Sequence, residues 1–132
     1  MKSETLHGTW SLVSFEIENL DGIRKPWGTG THGLLMYAPS GPMAGHMSVS
    51  INKDIENDPE QTEAENLFES ILFYSGSYQV EGDLIRHRVT QASNPARIGK
   101  EMLRYATIDG ETLELATPRE SFGRGILTWK RV

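Results

Sequence analysis

The chain contains no cysteine. Disulfide frameworks and thiolate chemistry are therefore excluded, and a metal would have to be held by histidine and carboxylate side chains alone. Positive charge is also scarce: 13 Lys and Arg stand against 18 Asp and Glu, a net charge of −5 with no basic run. Phosphate-binding surfaces normally appear as basic patches, so no nucleic-acid partner is expected. No segment approaches the roughly 20 apolar residues of a membrane-spanning helix, which argues against a membrane partner. The opening Met1-Lys2-Ser3-Glu4-Thr5 lacks the apolar stretch of a secretory signal, so a cytoplasmic location is the expectation. Three chemical motifs are missing as well: a Gly-x-Ser-x-Gly elbow, a phosphate-cradling Gly-x-x-x-x-Gly-Lys, and a Gly-x-Gly-x-x-Gly following a strand. His7, His32, His46 and His87 fall on separate segments without ligand spacing, so neither metal nor cofactor is expected.

What is present is geometry. At 132 residues, the chain reads as one domain, 1–132, large enough to bury a core and small for two. Short alternating segments bounded by Gly, Asp, Asn and Pro predict an all-β, antiparallel barrel of eight to nine strands with one short helix. Strands are expected at 8–18, 23–27, 32–38, 46–52, 74–81, 84–91, 101–108, 112–117 and 124–131. The helix is expected after Asp58 as cap, with Pro59 in its first turn and Gln61 completing a capping box. Ala64, Leu67, Phe68, Ile71 and Leu72 then form one apolar face packed on the barrel. The glycines of Trp27-Gly28-Thr29-Gly30-Thr31-His32-Gly33 precede a strand and read as a loop at a barrel mouth. Asn94–Gly99 reads as another part of the rim.

The segment from Tyr74 to Gln91 can be registered. Gly82-Asp83 as a two-residue turn, glycine first, sets Tyr78 opposite His87, Val80 opposite Ile85 and Gly76 opposite Val89 on one face. Gln79 with Arg86, Ser77 with Arg88, and Ser75 with Thr90 then face water. Tyr78 and His87 are thereby turned into an apolar interior, where both rings need partners. On the first strand, a period of two from Trp10 carries Ser14 and Glu16 inward. Val13, Phe15 and Ile17 would point outward and need cover, from the helix or, as preferred here, from a second subunit in a homodimer. After an Asp21-Gly22 turn, Glu18 is expected opposite Lys25. Around Asp109-Gly110 two registers remain open. One turns Arg104 inward, where it could balance Glu16; the other, favoured because an unpaired interior guanidinium is costly, leaves Leu103, Tyr105, Leu113 and Leu115 inside.

Several segments recur in one order: Gly8-Thr9-Trp10-x-Leu12-Val13-Ser14-Phe15-Glu16, Gly33-Leu34-Leu35-Met36-Tyr37-x-Pro39-x-Gly41, Met47-Ser48, Tyr74-x-Gly76-x-Tyr78-x-Val80-x-Gly82-Asp83 and Leu127-x-Trp129-x-Arg131-Val132. Together they resemble the small bacterial and fungal lipocalin-like domain family across nearly the whole chain. Pro42–His46 departs from it, being longer than expected between those strands. The resemblance implies a lipocalin-like β-barrel with Arg131 stacked on Trp10 and a hydrophobic cavity for a small apolar or amphipathic molecule. Its expected ligand-binding walls are Trp10, Ser14, Glu16, Tyr37, Ser48, Tyr78 and His87. The alternative is a cofactor-free cyclase or isomerase acting on a cavity-bound natural-product intermediate, with His87 oriented by Glu16 as its acid-base pair. A third class, a filled barrel serving as an interaction module, is set apart by cavity volume. Ligand sites of this kind span about 300–1,000 Å³.

Overall fold

The computed structural model describes residues 1–132. Nine strands run in chain order: β1 Gly8–Glu18, β2 Arg24–Pro26, β3 His32–Pro39, β4 Ala44–Asn52, β5 Ile71–Glu81, β6 Leu84–Ala92, β7 Glu101–Asp109, β8 Thr112–Ala116 and β9 Arg124–Arg131. From β3 to β9 each strand pairs antiparallel with the next, and β1 joins both β3 and β9. That closes an eight-stranded antiparallel barrel and leaves no long free edge. The short β2 pairs outside this ring with the second half of β1. The Pro42–His46 stretch is mostly strand, because β4 begins at Ala44 and the turn is confined to Ser40–Met43.

The β5–β6 hairpin has the expected register. Tyr78 faces His87, Val80 faces Ile85 and Gly76 faces Val89, with Gln79 and Ser77 beside Arg86 and Arg88. Gly82 adopts φ +59° while no other residue type has positive φ, so the glycine occupies the turn position that only it fills cheaply. One pair differs: a bulge at Thr90 sets Ser75 opposite Gln91 instead, and the Thr90 hydroxyl donates to the Ser75 carbonyl at 3.2 Å.

Three expectations fail for identifiable reasons. A bulge at Val13 shifts β1 against β9, so that Trp10 faces Arg131 and Leu12 faces Trp129, but Phe15 then meets Leu127. The extra residue inverts everything after it. Phe15 turns inward, Ser14 and Glu16 turn outward opposite Thr128 and Ile126, and Val13 alone stands exposed. The apolar outer face that suggested a homodimer is therefore not formed. Second, β7 and β8 turn at Gly110-Glu111, with Asp109 opposite Thr112 and Gly110 at φ +60°. Ala106 pairs with Leu115, which puts Arg104 inside and leaves Tyr105 exposed on the other face. Third, the helix α1, Glu63–Glu69, is capped by Thr62 with Glu65 closing the capping box, and no residue in it is buried. Asp58 instead accepts from the Glu60 amide in the preceding turn. Thr62 displaces Asp58 because its hydroxyl reaches the Glu65 amide while the Glu65 carboxylate reaches back. Ile71 and Leu72 belong to β5. Glu18 also pairs one residue from expectation, with Arg24 in place of Lys25; its carboxylate holds Arg24 at 2.9 Å and Arg124 at 3.0 Å, which together keep it below the usual carboxylate range.

One end of the barrel is closed by the 3-10 turn Ser3–Leu6. Leu6 is fully buried, and its carbonyl accepts from the Trp10 indole at 2.9 Å. The Arg131 guanidinium lies 4.1 Å from the Trp10 ring and donates to the carbonyls of His7 and Thr5 at 2.6 and 2.8 Å. One side chain thus locks the first and last segments over the plug. Arg131→Met is expected to cost about 2 kcal/mol, from the cation–π contact and two charge-assisted hydrogen bonds together; urea unfolding midpoints at constant m-value check it.

Candidate functional site

Above the plug, Trp10, Tyr37 and Tyr78 pack the closed half of the interior, with the Tyr37 and Tyr78 rings edge-on at 4.8 Å. The other half holds a cavity. Its walls come from Phe15, Leu35, Val49, Ile51, Leu115 and Trp129, with Leu72 and Leu127 completing them, and four side chains bring polar atoms to it: Tyr74, His87, Arg104 and Thr117. The stacked pair Phe15–Trp27, centroids 4.9 Å apart, continues from the wall to the outside. Lys53 sits 4.5 Å above the Trp27 ring, and the neighbouring Asp54 amide donates to the Thr29 carbonyl at 2.8 Å. The glycine-rich loop is thus tied to the end of β4.

His87 stands at the boundary between the two halves and is 1% exposed. Its Nε2 lies 2.6 Å from the Tyr37 hydroxyl and its Nδ1 lies 2.7 Å from that of Tyr74. Both ring nitrogens are therefore occupied. Burial, and secondarily the Arg104 charge, hold the imidazole well below its ordinary pKa, so it is neutral at pH 7. Burial pushes the Tyr37 and Tyr74 phenols up. The Tyr78 hydroxyl is buried without a hydrogen-bond partner.

Of the expected site residues, His87 alone lines the cavity. Tyr37 reaches it through His87, while Tyr78 and Trp10 belong to the packed half. Ser48 lies on the outer face of β4, because Met47, Val49 and Ile51 take the inward positions. Ser14 and Glu16 face outward for the reason given by the Val13 bulge, so no His87–Glu16 pair forms. Tyr74 was missed although the inward alternation Val80, Tyr78, Gly76 reaches it at the next step. The direction of Arg104, open between two turn registers in the sequence, is settled inward, against the favoured one. No group of three or more His, Asp or Glu side chains converges to hold a metal ion, and no helix is long and apolar enough to cross a membrane.

The void left by these side chains is about 40 Å³, room for a few waters and far below the expected ligand-site range. In this state most of the interior is filled. What distinguishes it from an ordinary filled core is the charge at its wall. Arg104 donates to the Leu103 carbonyl at 2.7 Å and has no carboxylate within ion-pair distance.

A neutral buried histidine carries a definite pH signature. The unfolded chain binds a proton at His87 near pH 6.5, whereas the folded site resists it until well below. Folding stability is therefore complete above pH 6.5 and falls as pH drops through the window beneath it. His87→Gln is expected to flatten this slope, read from urea midpoints across that window. The raised phenols act oppositely: ionisation of the unfolded tyrosines erodes stability above about pH 10.

Comparison with known proteins agrees with the architecture. Two solved structures of similar shape are a redesigned β-barrel (TM-score 0.55, 14% identity, covering 98% of this chain and 94% of that one) and a de novo designed fluorescence-activating β-barrel (TM-score 0.57, 13% identity, 98% and 96%). At such identities the likeness concerns the fold alone. No curated protein matches the chain. The family model described as a lipocalin-like domain matches residues 7–132, and the chain belongs to the lipocalin-like domain family.

Proposed function

We propose that the barrel binds a small amphipathic molecule in the cavity bounded by Phe15, Val49, Leu115 and Trp129, with its polar end toward Tyr74 and Arg104. The observation that carries this reading is the unpaired Arg104 guanidinium set among apolar walls. Arg104 is half-buried, yet a guanidinium facing apolar walls without a partner still carries a desolvation cost, and a barrel serving only as a filled scaffold gains nothing by keeping one. Because the empty void is about 40 Å³, occupancy goes with expansion. The side chains best placed to move are Phe15 and Trp27, since Trp27 is held by one ring stack and one cation contact. The ligand then selects an open state that the free protein visits rarely, which lowers its apparent affinity.

Catalysis on the bound molecule, as by a cofactor-free cyclase or isomerase, is the second reading. It does not run through His87 and Glu16, which lie on opposite sides of the barrel wall. What favours it is the same guanidinium, which would stabilise negative charge developing on an enclosed substrate.

Native mass spectrometry of protein purified from its own host is expected to show a retained small molecule. Val49→Phe, which overfills the void at a cost of about 1–3 kcal/mol, is expected to emerge without it while keeping the far-ultraviolet spectrum of a β-barrel. Wild-type protein free of any retained mass, and indifferent to added amphiphiles, would contradict the reading.

A further inference from the structure

The hydrogen atoms around the cavity can be counted. Neutral His87 carries one N–H, and Tyr37 and Tyr74 carry one O–H each, so the chain Tyr37–His87–Tyr74 has three hydrogens for two hydrogen bonds. One hydrogen is left over, and it sits at one of the two ends. Both phenols are 2% exposed, but Tyr37 does not line the cavity and has no other acceptor. Leaving its hydroxyl unpaired would impose the full desolvation cost of a buried donor. Tyr74 borders the cavity. The consistent arrangement has Tyr37 donating to Nε2 and Nδ1–H donating to Tyr74, whose own O–H is then free at the cavity.

The remaining polar side chains point the same way. Arg104 spends one N–H on the Leu103 carbonyl and meets no carboxylate. The Trp129 indole N–H is buried without an acceptor, on a ring that forms part of the cavity wall. Thr117, the one hydroxyl besides that of Tyr74, already accepts from the Gly125 amide at 2.8 Å and donates to the Pro118 carbonyl at 3.3 Å. Both nitrogens of His87 are engaged. The side chains of the cavity therefore offer donors and one positive charge, and no anionic acceptor.

We propose that the cavity recognises an amphipathic monocarboxylate, whose anionic oxygens take the Tyr74 hydroxyl and the Arg104 guanidinium while a slender apolar body lies against Phe15, Val49 and Leu115. The inference rests on the binding reading above and adds the charge and hydrogen-bonding sense of the ligand. A carboxylate supplies the acceptors these donors lack and neutralises Arg104. A primary ammonium has neither property, and an alcohol satisfies one donor without the charge.

The test uses the full chain and matched probes: n-alkanoates of increasing length from butanoate, with the alcohol and the alkylammonium of each length, followed by tryptophan fluorescence and amide chemical shifts. Alkanoates are expected to bind about tenfold or more tightly than the matched alcohols, the scale of a hydrogen bond to a charged group, and the alkylammonium ions not at all. Tyr74→Phe and Arg104→Met are each expected to weaken alkanoate binding by about tenfold or more and to weaken alcohol binding less, so that the preference for alkanoate over the matched alcohol falls. Their near-wild-type amide spectra would establish that both variants fold; should Arg104→Met unfold, Arg104→Lys, which keeps the charge and loses the fork, is expected to give an intermediate loss. Equal binding of alkanoate and alcohol, or alkanoate binding unchanged in both variants, overturns the charge assignment and leaves the binding reading standing. Failure of every probe, together with no retained host molecule, overturns both.

Discussion

A neutral imidazole clamped between two buried phenols organises this barrel. His87 can be nearly solvent-free only because Tyr37 and Tyr74 occupy both of its nitrogens, and those phenols tolerate burial only because the imidazole accepts a hydrogen bond from one and donates one to the other. The three rings come from β3, β5 and β6, so satisfying them fixes the mutual placement of strands that are not all neighbours. On one side of this girdle the interior is packed by Trp10, Tyr78 and the 3-10 plug; on the other lies the cavity. A polar network that is fully paired on its packed side and short of an acceptor on its open side gives the interior a direction.

The two ends of the barrel answer different physical demands. At the plugged end the Trp10 indole reaches the Leu6 carbonyl, and Arg131 covers the ring while holding two further carbonyls, so that the Tyr78 hydroxyl is the one buried donor there without a partner. That end is built for rigidity. At the open end an arginine is left without a counter-ion and an aromatic stack closes the wall through a single contact with Lys53. Proteins place such unfinished polarity where something else completes it, since stability alone would remove it.

Much of the architecture was legible because barrels repeat one rule. Alternation by two located all nine strands to within a few residues, and the glycine-first turn at Gly82-Asp83 registered β5 on β6 and turned His87 and Tyr78 inward. Of the two registers open around Asp109-Gly110, the favoured one lengthens the turn and puts Arg104 outside, whereas the glycine-first turn at Gly110-Glu111 turns it inward. The Val13 bulge had no comparable mark. A bulge is one extra residue whose cost is met by pairing across the barrel, so it depends on β9, more than a hundred residues away, and leaves no local trace. From there the error spread to Ser14, Glu16 and the outward Phe15 at once. Ser48 failed for a simpler reason, since Met47, Val49 and Ile51 set the parity of β4 and a serine between them can only face out. The helix boundary moved because two capping signals competed, and the reciprocal pair Thr62–Glu65 prevailed over Asp58.

The direction of the site depends on where the hydrogens of this girdle lie, and nitrogen-15 NMR of the His87 ring reads them directly. The expected result is a neutral ring protonated at Nδ1 with Nε2 as a bare acceptor, and no second protonation until pH is well below 6.5. A ring protonated at Nε2, or one that takes up its second proton near the ordinary histidine value, would place the spare hydrogen elsewhere and contradict the directionality on which the site rests.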